Sequence, residues 1–174
     1  MFNPFRKSYS PKEEKLFDFL LDVFIFRKLN YRELSYFSPY MYLREYKNEE
    51  VIFFREDPSN AIYIIKTGKV TLSIDINDGF EKILALRAKH SFGENALLQR
   101  TRRNYNAIAT TDQTQLYVIP KVNILEIFED HARLKSKMME AYSEMNELYT
   151  SRLLNIYQSS MGFFTLGDVF KIEN

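Results

Sequence analysis

The feature that most constrains the fold is a series of short β-rich runs in the middle of the chain. From Tyr42 onward the apolar residues recur at every second position, as they do in strands with one buried face. The runs are Leu43 to Tyr46, Val51 to Arg55, Ala61 to Thr67, Lys69 to Asp75, Glu81 to Arg87, Asn106 to Thr111 and Gln115 to Ile119. About seven or eight short strands separated by turns are typical of a double-sheet jelly roll.

Turn residues support this interpretation. Asn77-Asp78-Gly79 stands between two strand runs and predicts a hairpin, and Gly68 separates two others.

Helical patterns precede the strands. Ser10, Pro11 and Glu13 form a capping box that predicts a helix from Pro11 to about Arg27. Asn30-Tyr31-Arg32-Glu33 repeats the pattern, and this second helix should end near Phe37, ahead of Pro39.

Helical periodicity returns at about Asn123, with a long helix predicted from Ala132 to Tyr157. Its apolar stripe fits packing on its own domain, pairing with a second helix across a dimer, or a lid over a ligand. The stripe comprises Met138, Ala141, Tyr142, Met145, Leu148, Tyr149 and Ile156.

Together these patterns predict one α+β domain in three segments. They are N-terminal helices (1–40), a β jelly roll (41–122), and C-terminal helices with an apolar tail (123–174) that we expect to dock on the domain or a partner.

A conspicuous stretch lies within the jelly roll, from Phe92 to Arg103. Gly93 permits a left-handed backbone or close approach of a ligand, and Glu94 can accept hydrogen bonds from a sugar hydroxyl. One helical turn would follow and leave free N–H groups, which attract anions. Arg103 could then bind a phosphate through its guanidinium fork.

This stretch resembles the phosphate-binding cassette of the cyclic nucleotide-binding domain family, whose pattern is F-G-E-x-A-L followed by six residues and an arginine. The matching residues are Phe92, Gly93, Glu94, Ala96, Leu97 and Arg103. The resemblance extends over roughly Phe24 to Leu154. The resemblance implies that Glu94 binds the ribose 2′-hydroxyl of cAMP or cGMP and that Arg103 binds the cyclic phosphate. It also implies that the amides of Asn95 and Ala96 complete the phosphate cradle.

The cassette, taken as 92–105, departs from the family pattern in its last two positions. Asn104 and Tyr105 replace two small residues. Asn104 weakly imitates a polar residue that favours guanine, whereas Tyr105 either points away from the pocket or fills part of it. Glycines common in the family are also absent at Asn48 or Glu49, at Glu56 and at Lys89, so we expect remodelled turns there.

Composition limits the other functions. The chain has no cysteine, which excludes disulfides and thiolate metal sites and favours the cytoplasm. A net charge of +1 gives no basic field for nucleic acid or membrane, and the apolar run from Leu16 to Phe26 is too short to span a bilayer. Only Gln158 to Asn174 follow the long helix, so we expect no winged-helix domain and no DNA binding by this chain alone.

Catalytic and metal sites find no support. His90 and His131 lie in different predicted elements without metal-ligand spacing, and the serines lack a nucleophile elbow. Arg100, Arg102 and Arg103 without interleaved aromatic residues make a weak nucleic-acid patch. We expect neither an enzyme nor a resident cofactor.

Two hypotheses therefore remain. The first is a cyclic nucleotide sensor that relays binding through the long helix to a homodimer or an unidentified protein partner. The second is a domain that has lost the ligand, with Tyr105 in the pocket, and serves as an interaction or dimerisation module. The candidates for capping the base are Tyr142, Met145, Tyr149 and Leu153. We expect Arg103→Ala to abolish nucleotide binding and leave the fold intact, because an exposed loop arginine contributes little stability.

Overall fold

The computed structural model describes residues 8–76 and 79–160. The chain divides into two units, Met1–Tyr142 and Ser143–Asn174. Both sheets and the cassette lie in the first unit. The predicted apolar tail beyond residue 160 lies outside the described residues.

Four α-helices are found in the described ranges: α1 (Pro11–Leu21), α2 (Tyr31–Phe37), α3 (Lys121–Asp130) and α4 (Ala132–Ser160). Short 3₁₀ helices cover Phe24–Phe26, Ser38–Tyr40 and Glu94–Leu97.

The N-termini of α1 and α2 confirm the predicted capping boxes. In α1, the Glu13 amide donates to Ser10 Oγ at 3.3 Å, while Glu13 Oε2 accepts from the Ser10 amide at 2.8 Å. The same reciprocal pair joins Asn30 and Glu33 in α2. Each box satisfies two backbone donors that a helix N-terminus would otherwise leave unpaired.

The predicted extent of α1 is wrong at its C-terminal end. The helix stops at Leu21, Val23 is extended, and a 3₁₀ turn follows. Val23, Ile25 and Phe26 are all fully buried, which one face of a continuous helix would not allow. The break lets all three side chains enter the core.

Eight strands are found in the described ranges. They are β1 (Tyr42–Tyr46), β2 (Val51–Phe53), β3 (Ala61–Thr67), β4 (Lys69–Ile76), β5 (Gly79–Arg87), β6 (Ser91–Phe92), β7 (Asn106–Ala109) and β8 (Thr114–Pro120). They form two antiparallel four-stranded sheets, ordered β1-β8-β3-β6 and β2-β7-β4-β5. This is the predicted jelly roll in an α+β fold. Only the two-residue strand β6 was missed.

The predicted hairpin joins β4 to β5. Its residues Asn77 and Asp78 lie outside the described residues, but Ile76 pairs with Gly79 and the register continues to Lys69 opposite Arg87. Gly68, between β3 and β4, has φ +86° as its turn requires.

Strand β3 separates two hydrophobic cores. Ile62 and Ile64 face a cluster formed mainly by the helices, whereas Ala61 and Ile65 face the interior between the two sheets. Successive strand residues point to opposite faces, so one sheet is covered on both sides. The cassette turn therefore sits at the edge of a well-packed scaffold, where Ala96 and Leu97 anchor it in the helical core.

The prediction that turns lacking glycine are remodelled is wrong. Glu49, Glu56 and Lys89 adopt φ values of 67°, 67° and 68°, the left-handed conformation that glycine favours. These non-glycine residues thus adopt the left-handed backbone conformation despite its steric strain.

No helix in the described part of the chain is long and apolar enough to cross a membrane.

Candidate functional site

The cassette begins with a left-handed residue at Gly93, between β6 and the 3₁₀ turn, with φ +76°. A Cβ atom there would lie 2.4 Å from Nη1 of Arg103 and 3.3 Å from the carbonyl oxygen of Ala61. Glycine is thus required both by the backbone conformation and by the close approach of the arginine. Arg103 and Ala61 therefore both approach the cassette closely at Gly93.

Glu94 is the first residue of that turn and is only 7% exposed. Ser91 Oγ donates to its Oε1 at 2.6 Å. Burial raises the pKa of the Glu94 carboxyl, while the Ser91 hydrogen bond and the positive charge of Arg103 act in the opposite direction. The carboxylate is held at the site, as the sequence predicted, but in a desolvated environment.

Arg103 is brought to the same place and is only 2% exposed. Its Nη1 donates to the Gly93 carbonyl at 3.0 Å and its Nη2 to the Ala61 carbonyl at 2.8 Å. The guanidinium carbon lies 4.2 Å from the centre of the Phe53 ring, a cation–π distance. Burial lowers the pKa of Arg103.

The expectation that Arg103 is an exposed loop arginine is therefore wrong. Removing a buried, hydrogen-bonded arginine takes one donor away from each of two carbonyl groups and removes packing on Phe53. Arg103→Ala should consequently destabilise the fold as well as any ligand complex. One donor of Arg103 is still unused: its Nε is buried and has no hydrogen-bond partner.

The two amides predicted to complete the cradle belong to a turn that is already well connected. The Ala96 amide donates to the Gly93 carbonyl at 3.1 Å, so it is used within the turn. The Asn95 side chain accepts from Ser59 Oγ at 2.7 Å and donates to the Arg102 carbonyl at 2.6 Å. Asn95 thus holds the cassette together. Asparagine's tendency to bond nearby backbone was the signal for this role.

The two residues after Arg103 differ in orientation. Asn104 is exposed. Tyr105 is half-buried; its hydroxyl accepts a hydrogen bond from the Gly93 amide at 2.9 Å, and its ring centre lies 5.8 Å from that of Phe53. Of the two alternatives that the sequence left open, Tyr105 points into the site.

Aromatic rings from three strands line the site around Arg103. Phe53 lies 5.5 Å from Tyr63 and 5.9 Å from Phe92, and Tyr63 stacks on Phe92 at 5.1 Å. Phe53 and Tyr63 were not among the predicted site residues. Both occupy inward positions of predicted strands, but only the folded sheet order places them beside the cassette.

The segment that carries Arg103 is also bound to the loop before β3. The Arg103 amide donates to the Asp57 carbonyl and the Glu56 amide to the Arg103 carbonyl, both at 2.9 Å. The Ser59 amide bonds the Thr101 carbonyl at 3.0 Å. Arg103 therefore has its main chain fixed as well as its side chain.

The four candidates for a base cap lie on α4. Tyr142 packs on the helical core at the end of the first unit. In the second unit Met145 is buried, while Tyr149 and Leu153 are 46% and 62% exposed. Their role as a cap stays a prediction.

Comparison of the chain with known protein families identifies the family to which it belongs. A family model described as "Cyclic nucleotide-binding domain" matches residues 43–131, just over half of the chain. The chain belongs to this family. The family is a regulatory domain and not a catalytic one.

Two relatives of known function are similar to this chain in sequence. The chain is 26% identical over 136 residues to a cGMP-dependent protein kinase of Plasmodium berghei, covering 76% of this chain and 15% of the kinase. It is 27% identical over 129 residues to a cAMP-dependent protein kinase regulatory subunit of Blastocladiella emersonii, covering 74% of this chain and 32% of the subunit. The matched regions are therefore a minor part of both relatives.

A solved structure shows the same fold. The regulatory domain of Toxoplasma gondii PKA, crystallised with cAMP, aligns with a TM-score of 0.63 at 20% identity. The alignment covers 72% of this chain and 48% of that one.

Proposed function

We propose that this domain is a regulatory sensor that binds cAMP or cGMP in the cassette and passes the binding event through α4 to a dimer interface or a partner protein. Glu94 would accept from the ribose 2′-hydroxyl and Arg103 would bind the cyclic phosphate. Both nucleotides remain candidates, because one named relative is cGMP-dependent and the other cAMP-dependent.

The observation that carries the proposal is the unpartnered Nε of Arg103. A buried donor without an acceptor costs about 1–3 kcal/mol, and this one belongs to a guanidinium beside Gly93 and Glu94. A phosphate oxygen would satisfy it and would provide a charged partner for the arginine. Binding would require the guanidinium to exchange its bonds to Gly93 and Ala61 for bonds to the ligand.

A specific observation favours a second candidate, an interaction module that needs no nucleotide. The amide and the carbonyl of Gly93 and the amide of Ala96 are all hydrogen-bonded within the protein. These three backbone groups therefore have partners without any ligand. In that case the output would be a protein interface alone.

Titration calorimetry with cAMP and cGMP separates the candidates, using protein freed of co-purified nucleotide by unfolding and refolding. The sensor predicts micromolar or tighter binding by the parent protein. Arg103→Lys should weaken it by about 10- to 100-fold, because lysine meets the phosphate only as a point charge. Arg102→Lys, an exposed neighbour, is the matched control and should bind within about twofold of the parent.

Circular dichroism of each variant should first establish that it is folded. Absence of heat and of a thermal shift with both nucleotides in the parent protein would reject the sensor and favour the interaction module. The relay has its own test, sedimentation with and without saturating nucleotide, since a ligand shifts an assembly only if it binds one state more tightly.

A further inference from the structure

Tyr105 and Arg103 contact the same residue of the cassette from two sides. The Tyr105 hydroxyl accepts from the Gly93 amide at 2.9 Å, and Arg103 Nη1 donates to the Gly93 carbonyl at 3.0 Å. Both polar groups of the Gly93 backbone are therefore occupied by side chains from one short segment. We call Arg103 and Tyr105 the Gly93 contact pair.

The two side chains also share a packing surface. Arg103 lies 4.2 Å above the Phe53 ring, and the Tyr105 ring centre is 5.8 Å from the same ring. A displacement of either side chain changes what Phe53 contacts. The Gly93 contact pair consequently forms a connected unit rather than two separate hydrogen bonds.

This arrangement bears on any ligand that uses the site. Glu94 follows Gly93 directly, so the carboxylate proposed to hold the sugar and the Gly93 amide that Tyr105 engages belong to the same turn. A phosphate held by Arg103 would draw the guanidinium from the Gly93 carbonyl. A ligand held by Glu94 and Arg103 would therefore act on the turn that the Gly93 contact pair holds in place.

We propose that Tyr105 is a gating residue. Its hydroxyl stabilises a closed state of the cassette that does not bind a cyclic nucleotide, and the population of this state lowers the apparent affinity. This inference rests on the proposed sensor function. When only a fraction of the molecules is competent to bind, the apparent dissociation constant equals the intrinsic constant divided by that fraction, so it rises as the closed state becomes more populated. The gate thereby sets the nucleotide concentration at which the domain responds.

Tyr105→Phe tests the gate because it removes the hydroxyl and keeps the ring against Phe53. Loss of one net hydrogen bond from the closed state should tighten binding of cAMP or cGMP by about three- to tenfold. Tyr117→Phe is the matched control: it removes the hydroxyl of a partly buried tyrosine that packs on the helical core, away from Gly93, and should leave affinity unchanged.

A second measurement is independent of any ligand. In the nucleotide-free protein, Tyr105→Phe should accelerate hydrogen exchange of the Gly93 amide, observed by NMR, whereas Tyr117→Phe should not. An unchanged Gly93 exchange rate would overturn the closed state itself.

The outcomes keep the two proposals apart. Equal affinity of the parent and Tyr105→Phe for nucleotide overturns the gate and leaves the sensor standing. No binding by either protein rejects the sensor, and the gate with it, even if Gly93 exchange accelerates. Tighter binding by Tyr105→Phe together with faster Gly93 exchange supports both.

Discussion

Two kinds of left-handed turn occur in this jelly roll, and they differ in what surrounds the backbone. At Gly68 and Gly93 a Cβ atom would meet neighbouring atoms at 2.5 Å and 2.4 Å. At Glu49, Glu56 and Lys89 the same backbone conformation carries a long, exposed side chain. Glycine has been replaced where only strain opposes the replacement and is present where space is also lacking.

This difference shows what the absence of a glycine common in the family means for the backbone at that position. A left-handed non-glycine residue costs about 1–2 kcal/mol, which a stable sandwich tolerates. Lack of space adds a clash that is relieved only when the neighbouring atoms move. Absence of glycine at an exposed turn is therefore weak evidence for a changed backbone.

The largest effect should follow Gly68→Ala. The added Cβ would lie 2.8 Å from the Cα atom of Thr114, and backbone atoms cannot rotate away. Strain and overpacking together should lower the free energy of unfolding by about 2–5 kcal/mol, measured by urea denaturation. Gly79→Ala is the control, because its nearest neighbour would be the Ile76 carbonyl oxygen at 3.9 Å. Equal losses in both variants would contradict the comparison.

Gly93→Ala should cost about 2–3 kcal/mol, because the closest atom is the movable end of Arg103. The guanidinium would shift and lose its bond to the Gly93 carbonyl. A double-mutant cycle with Arg103→Met measures this dependence. Gly93→Ala should be less destabilising in the Arg103→Met protein, and strict additivity would show that the two residues act independently.

Glu94→Gln should have a smaller effect that grows with pH. The pKa of Glu94 is raised above its ordinary value of 4.5 in the folded protein. Its contribution to stability is therefore fully present below that value and is lost as pH rises through the folded pKa. Urea denaturation from pH 4 to pH 8 should show a shallower decline for Glu94→Gln than for the parent. The exposed replacement Glu49→Gln should follow the parent, and parallel curves for all three would refute the burial effect.

The smallest effect belongs to Glu49→Gly, and it is stabilising. Relief of the left-handed strain slightly exceeds the entropy that glycine adds to the unfolded chain, for a gain of up to about 1 kcal/mol. Thermal denaturation should detect a small rise in the melting temperature. The neighbouring Asn48→Gly removes no such strain and should be neutral or destabilising, so a rise there too would indicate another cause.

Much of the fold was predictable because its signals are local. Both capping boxes involve residues three positions apart, and the strands coincide with short β-rich runs separated by turn residues such as Gly68. The break after Leu21 was missed since it depends on which neighbours bury Val23 and Ile25. Strand β6 was missed because two residues are too short for any period.

The sequence predicted which residues come together but not their environment. The spacing of Glu94 and Arg103 predicted that both lie at the Gly93 turn, where the structure places them, and their roles toward a ligand stay a prediction. The burial of Arg103 could not be predicted, because its partners Ala61 and Phe53 come from distant positions in the chain and meet it only through the sheet order. Likewise, Tyr105 has two faces available on a strand, and only the position of the Gly93 amide selects one.

The connection between the loop before β3 and the segment carrying Arg103 has a consequence for proteolysis. Arg100, Arg102 and Arg103 would make this the preferred cleavage region of an unfolded chain for a protease that cuts after basic residues. A protease must draw its substrate into an extended conformation, and here both the amide and the carbonyl of Arg103 are bonded to residues 56 and 57. Cleavage at Arg103 must therefore await opening of the cassette. The rate of cleavage after Arg103 thus reports how often the cassette opens.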